Sequence, residues 1–239
     1  MSYWSIVNKV IRDSDMLLLV LDARMVEETR NEEVEAKVER SGKKLMYVIN
    51  KTDLVGKEKV ERYKSKLTPL VFVSSKEFHG TKKLRDMIKI EAKRHNLKEV
   101  KVGVLGYPNV GKSSVINALK GKSSAPTSIK SGFTKALQEV RVDTKIKLID
   151  TPGVLPRGKT DKTITLDFNK AQDLDLEVFK IIQENPGVLE AHYDVKENDD
   201  FVEELALKLN MIKKGKEPDI DRAAKKVLYD WQKGNIKTY

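Results

Sequence analysis

Residues 106–113 read Gly-Tyr-Pro-Asn-Val-Gly-Lys-Ser, and no other feature restricts the fold of this chain as much. The pattern of glycine, four residues, glycine, lysine and a hydroxyl residue needs a strand before it and a helix after it, because its backbone N–H groups must converge on one anion with the positive end of a helix beneath. Both flanks are present: an apolar run at 100–105 and an amphipathic stretch at 112–119. Taken alone, the octapeptide would also fit a plain glycine turn between strand and helix.

The rest of the chain repeats that alternation. Runs rich in Val, Ile and Leu occur at 16–21, 45–49, 70–73, 100–105 and 147–149, and charged stretches of helical period lie at 28–41, 57–66, 81–95 and 112–119. The apolar runs are continuous rather than alternating, which marks strands covered on both faces, so the expected fold class is α/β, a three-layer sandwich around a mostly parallel sheet. Residues 138–142 and 145–150, joined by Asp143 and Thr144, predict a hairpin. Beyond about residue 160 the strand signals stop. A boundary there predicts a nucleotide-type domain over 1–160 and a helical domain over 161–239 that is basic in its final stretch, 212–239. In the latter, Phe201, Val202, Leu205, Ala206 and Leu209 fall at helical spacing. So do Ile220, Ala224, Val227, Leu228 and Trp231, with Asp219 as cap and Gly234 past the end.

Charge narrows the partners. Lys and Arg number 46 against 36 for Asp and Glu, a formal net charge of +10, which favours anionic partners. Two stretches concentrate it: 82–101 carries eight Lys or Arg against three acids, and 212–239 eight against four. Either could track phosphates, and either could be a solvated helix face. There is no cysteine, which removes disulfides and thiolate chemistry, and the three histidines, His79, His95 and His192, are too scattered to suggest a metal site. No apolar run is long enough to cross a bilayer and residues 1–12 lack a signal peptide's apolar stretch, so a cytoplasmic protein without a membrane partner is expected.

The chemistry of the octapeptide assigns roles. Asn109, Val110, Gly111, Lys112, Ser113 and Ser114 would surround the phosphates, with Lys112 reaching the terminal ones and Ser113 ligating Mg2+. Asp150 ends the run 147–149, where a carboxylate can hold Mg2+ through water, and the Gly153 amide can sense the terminal phosphate. Thr134 supplies a candidate second hydroxyl for Mg2+, although an isolated loop threonine is equally a plain surface residue. Lys112, Thr134 and Gly153 are thus the catalytic candidates.

A second pair of loops speaks to a base. Asn50-Lys51-Thr52-Asp53 follows the run 45–49, and Ser74-Ser75-Lys76 follows 70–73. A carboxylate at Asp53 can accept from the ring N1 proton and exocyclic amine of guanine, and adenine offers no such pair. Lys51 and Lys76 can lay their stems against the base faces, Asn50 can tie this loop to the phosphate loop, and the Ser75 amide can donate to the guanine oxygen, with Ser74 counted in the same ligand-binding loop.

Together these segments resemble the five motifs of translation-factor-class P-loop GTPases. The base motifs precede the phosphate loop, the order of the circularly permuted GTPases, and Asp22-Ala23-Arg24 with Thr29-Arg30-Asn31 resembles the segment that opens them. The resemblance spans about residues 14–156. Val26 departs from it, since the family commonly has proline there. The likeness implies a circularly permuted P-loop NTPase sandwich plus a small C-terminal helical domain. It also implies GTP and GDP as ligands, and a role in ribosome assembly through the large ribosomal subunit or its rRNA. It further implies a slow GTPase, because Val154 stands where many relatives have the glutamine that orients water, and it places K+ at Asn109 as an optional second cation. A monomer is expected. Two other readings stay open: a GTP-sensing RNA-binding scaffold that hardly hydrolyses, and a permuted GTPase of another RNA process.

Overall fold

In the computed structural model, which describes residues 3–121, 138–151 and 173–238, the apolar runs become strands of one sheet. They are β1 (Met16–Asp22), β2 (Lys44–Asn50), β3 (Leu70–Phe72), β4 (Val100–Leu105), β5 (Gln138–Arg141) and β6 (Ile146–Asp150). The order is β3-β2-β1-β4-β6-β5. Every pairing is parallel except β5 with β6, which form the expected hairpin. All seven residues of β1 are buried, as a central strand covered on both faces requires.

Helices fill the crossovers: α1 (Tyr3–Asp13), α2 (Val26–Thr29), α3 (Glu32–Arg40), α4 (Lys57–Glu61), α5 (Thr81–Arg94) and α6 (Lys112–Lys120). Two expectations change here. The stretch 28–41 is two helices, because Arg30 is extended and Asn31 begins a new helix by accepting from Val34 N at 3.1 Å. The helix expected to run to residue 66 ends at Glu61 and continues only as turns. Helix α1, not among the expected helices, buries Val7, Val10 and Ile11. Gly103 of β4 makes room for it, since a Cβ there would lie 2.5 Å from Ser14 Oγ and 2.6 Å from Val10.

The chain divides into two compact units, Met1–Lys159 and Thr160–Tyr239. The described helices of the second are α7 (Leu174–Glu184), α8 (Val188–Tyr193), α9 (Phe201–Lys208) and α10 (Ile220–Lys233). Phe201, Leu205, Val227, Leu228 and Trp231 form its core, each large side chain contributing about 1.5–3 kcal/mol by burial. Asp219 caps α10 by accepting from Arg222 N at 3.1 Å, and Gly234 ends it with φ of 71°. Leu209 departs from the expected stripe: it follows the last residue of α9 and is 39% exposed. Among the described residues no helix is long and apolar enough to cross a membrane.

Candidate nucleotide site

The strand order reverses at the centre of the sheet. From β1 the chain moves outward through β2 to β3, then returns to the other side of β1 for β4. Loops leaving the C-terminal ends of β1 and β4 therefore part in opposite directions and open a crevice, the usual ligand position in open α/β sheets. Asp22 and Asn50 face each other in register at the ends of β1 and β2, so the base-type loop and the octapeptide after β4 meet at that crevice.

The octapeptide runs from β4 into α6 as its pattern requires. Gly111 precedes the helix with φ of 95°, and a Cβ there would lie 2.3 Å from Asn50 Nδ2, so both backbone and neighbour demand glycine. Lys112 is buried, and its ammonium donates to the carbonyls of Gly106 at 2.9 Å and Tyr107 at 2.7 Å. Burial pulls its pKa down to about 8, against the opposing pull of Asp150. Ser113 Oγ donates to Asp150 Oδ2 at 3.0 Å, which pairs a hydroxyl with a carboxylate at the start of α6. Val110 is buried, while Asn109 and Ser114 are exposed. Thr151 Oγ1 donates to Val104 O at 2.6 Å and holds the end of β6 against β4.

The base-type loop is built onto the octapeptide. Asn50 is buried; its Nδ2 donates to Val110 O at 3.0 Å and its Oδ1 accepts from Ser75 N at 3.1 Å. The Ser75 amide, assigned from sequence to a guanine oxygen, is thus given to Asn50 here, because a buried amide oxygen needs a donor. Lys51 adopts a left-handed backbone with φ of 62°. Its ammonium reaches Asn109 O at 2.6 Å and Asp22 Oδ2 at 2.8 Å, anchoring a stem that the sequence reading had considered only as a wall for the base. Asp53 lies in the short turn Thr52–Leu54 and is half-buried. Ser74 is buried and exchanges backbone bonds of 3.1 and 3.0 Å with His79, which closes the loop carrying exposed Lys76. His95 ends α5 with its ring 3.3 Å from Glu91.

Thr134, Gly153 and Val154 lie outside the described residues. Sequence reasoning missed the environment of Asp22. This carboxylate is buried and bound by Arg24 and Lys51; the available signal was an ionisable pair placed directly after a wholly apolar run.

The chain matches the family described as 50S ribosome-binding GTPase over residues 101–223. It belongs to that family. Its phosphate loop and base loops occur in permuted order, with β1 to β3 ahead of the β4 strand that leads into the phosphate loop. The fold is that of the crystal structure of GNP-bound YlqF from T. maritima, with a TM-score of 0.67 at 21% identity over 99% of this chain and 97% of that one. An uncharacterized GTP-binding protein of Methanocaldococcus jannaschii is 42% identical over 98% of this chain and 66% of its own length. The Guanine nucleotide-binding protein-like 3 homolog of Caenorhabditis elegans is 32% identical over 100% and 50%, and Nucleolar GTP-binding protein 2 of Neurospora crassa 36% over 98% and 40%. The chain therefore spans between 40% and 66% of the length of these curated relatives.

Proposed function

We propose that the chain is a Mg2+-dependent GTPase of low intrinsic rate whose nucleotide state controls its binding to the large ribosomal subunit or its rRNA during assembly. One observation carries the nucleotide part: two loops of independent chemistry, Asn50 to Asp53 and Gly106 to Ser113, meet through Asn50 Nδ2 and Val110 O at 3.0 Å and Lys51 Nζ and Asn109 O at 2.6 Å. Loops joined in this way would present one surface to a base and its phosphate chain. In this reading Asp53 accepts from the guanine N1 proton and exocyclic amine, and the Lys51 and Lys76 stems wall the ring. The Ser75 amide turns from Asn50 to the base oxygen, and the backbone amides of Asn109 to Ser114 hold the phosphates. Lys112 exchanges two carbonyl partners for phosphate oxygens and regains full charge as it does so.

The residues present fit Mg2+. Ser113 and Asp150 offer a hydroxyl and a carboxylate, an all-oxygen set suited to a hard cation, and among the described residues no cluster of three acids or histidines competes as a dedicated cage. Bound there with the nucleotide, the ion would neutralise charge developing on the terminal phosphates. Thr134 as second hydroxyl, the Gly153 amide as phosphate sensor and K+ at Asn109 belong to the same proposal. Slow hydrolysis is proposed because Val154 has no group to orient water, which also leaves room for a GTP-sensing scaffold that turns over hardly at all.

The ribosomal part is supported by the family's description and by the relatives named nucleolar. We assign nucleotide binding to residues 1–160 and RNA contact to the helical residues 161–239 through their basic final segment, 212–239, in a monomeric, cytoplasmic chain. Single-turnover hydrolysis with and without ribosomal subunits tests it, alongside co-sedimentation in GDP and in a non-hydrolysable GTP analogue. Hydrolysis accelerated by subunits, with co-sedimentation favoured in one nucleotide, is the expected result. Equal co-sedimentation in both would refute the switch.

A further inference from the structure

Asp22 ends β1 with its side chain wholly buried, and both carboxylate oxygens are in use. Oδ1 accepts from Arg24 N at 3.0 Å and Arg24 Nε at 3.0 Å; Oδ2 accepts from a terminal guanidinium nitrogen of Arg24 at 2.8 Å and pairs with Lys51 Nζ at 2.8 Å. The backbone around it is held as well. Asp22 N–H donates to Thr29 Oγ1 at 3.1 Å, and that hydroxyl donates to Met25 O at 2.7 Å, so the whole turn after β1 is pinned from inside.

Lys51 is the unusual member. A lysine with φ of 62° occupies a backbone region that a branched or long side chain enters only when its surroundings compel it. Its ammonium is drawn in two directions at once, onto Asp22 from β1 and onto Asn109 O of the phosphate loop. Burial works to remove its proton, and Asp22 is the strongest group opposing that loss. Without the carboxylate, the ammonium would sit beside the Arg24 guanidinium with only the weaker pull of Asp53 to offset it, and the bond to Asn109 O would be given up for solvent.

We propose that Asp22, clamped by Arg24, is a positioning residue for the guanine site: through Lys51 it holds the base loop against the phosphate loop and so sets how slowly nucleotide leaves. The inference rests on the guanine-nucleotide reading above. A bare ion pair that only stabilised the fold would have no reason to pass through a residue that also grips the phosphate loop.

The test is a double-mutant cycle on release of a fluorescent GDP analogue from the full chain: wild type, Asp22→Asn, Lys51→Met and both together, with thermal unfolding followed in parallel. Asp22→Asn should speed release on the order of 10-fold, as expected for a lost charge-assisted hydrogen bond, and should add less than two-fold in the Lys51→Met background. An equal, independent acceleration in both backgrounds would assign Asp22 a purely structural part and overturn the inference. So would a folded Asp22→Asn chain that releases at the wild-type rate. Should Asp22→Asn fail to fold, Arg24→Lys carries the same cycle, because it keeps the charge but loses the two-pronged grip on the carboxylate. Faster release that vanishes with Lys51→Met supports the inference, and unchanged release overturns it. A wild-type chain that binds no guanine nucleotide overturns the functional reading and this inference with it, whereas tight wild-type binding with any of the contrary outcomes overturns this inference alone.

Discussion

Each of the two units contains a buried aspartate paired with a lysine, and the two pairs do different work. Asp22 in the sheet unit draws in Lys51 from a neighbouring strand end, and that lysine continues to Asn109 of the phosphate loop. Asp230 in the helical unit accepts from Tyr193 Oη at 2.8 Å and Asn235 Nδ2 at 2.9 Å, and pairs with Lys226 one turn away on α10. Burial works against both charges, yet the partners win and hold both carboxyls below their usual range. Asp22 thus ties together loops whose spacing matters to a ligand. Asp230 ties α8 and the end of α10 into the core of its own unit. Similar chemistry buys positioning in one unit and packing in the other.

The largest expected effect separates ligand contact from folding within the sheet unit. Lys112→Ala should weaken GTP binding by about 3 kcal/mol, the scale of a lost charge-assisted bond to phosphate, and abolish hydrolysis. The thermal midpoint should hold or rise, since a buried ammonium is removed. The same residue predicts a pH effect of opposite sign on binding and stability. With its pKa pulled down to about 8 from the ordinary 10.5, the unfolded chain binds more protons between those values. The stability contribution of this site therefore rises with pH across that window. GTP affinity should fall over the same window, because the neutral amine no longer opposes phosphate. Calorimetry of GTP binding at pH 7 and pH 9.5 checks this, and affinity that does not fall would remove Lys112 from the phosphates.

Asp230→Ala should act the other way round. It leaves the Tyr193 hydroxyl and the Lys226 ammonium without their acceptor and should cost about 2–3 kcal/mol of stability. GTP affinity should stay at the wild-type value. Because the folded carboxyl lies below its ordinary pKa, this contribution is present above pH 4 and is lost as pH falls through the folded value. Denaturant unfolding at pH 7 and pH 3 measures both, and weakened GTP binding in a folded Asp230→Ala chain would break the division of labour between the two aspartates.

Asp53→Asn should fall between these and the surface charges. It should cost GTP about 1–3 kcal/mol and shift preference toward xanthosine nucleotides, whose ring offers an acceptor where guanine offers an amine. Asp53 sits in its turn without the fastening that Asp22 has, so its loss should leave stability alone. Competition binding with GTP and XTP decides it, and an unchanged preference would take Asp53 out of the base site.

How much of this the sequence disclosed follows from the range of the interactions. The strands were readable because β1, β4 and β6 are buried along nearly their whole length and are therefore mostly apolar, and the phosphate loop because its glycines answer to local backbone geometry. The break at Arg30 was not readable, since Asn31 caps a helix only because the chain turns there, and an asparagine inside a charged stretch carries no mark of that. Nor was the Ser75 amide's partner, which depends on Asn50 arriving from a strand 25 residues earlier. Leu209 kept the apolar period of α9 but lies past its last turn, where periodicity no longer says which side is buried. Lys51 and Asp22 are 29 positions apart in the sequence, and only the parallel register of β1 and β2 makes them neighbours.

The smallest expected effect divides a pair that the sequence reads as one basic face. Lys225 and Lys226 are adjacent on α10, and both are exposed along the outer side of its apolar stripe. Only Lys226 reaches back to Asp230; Arg222 and Lys225 remain on the open surface, and Lys233 stacks over Tyr229 at 5.4 Å. A lysine already paired with a carboxylate has less charge to offer a phosphate, so the two should behave differently toward RNA. Lys225→Ala should cost less than about 1 kcal/mol in binding to ribosomal subunits, flatten the dependence of log affinity on log salt by about one unit, and leave unfolding unchanged. Lys226→Ala should barely move the salt slope and instead lower stability by about 0.5–1 kcal/mol, the modest value expected of a half-exposed ion pair. Filter binding to rRNA at several salt concentrations, with denaturant unfolding of each variant, reads both quantities. Equal losses of RNA affinity in the two variants at unchanged stability would show that Asp230 holds Lys226 too loosely to keep it from phosphate. The buried aspartate of the helical unit would then owe its place to Tyr193 and Asn235 alone.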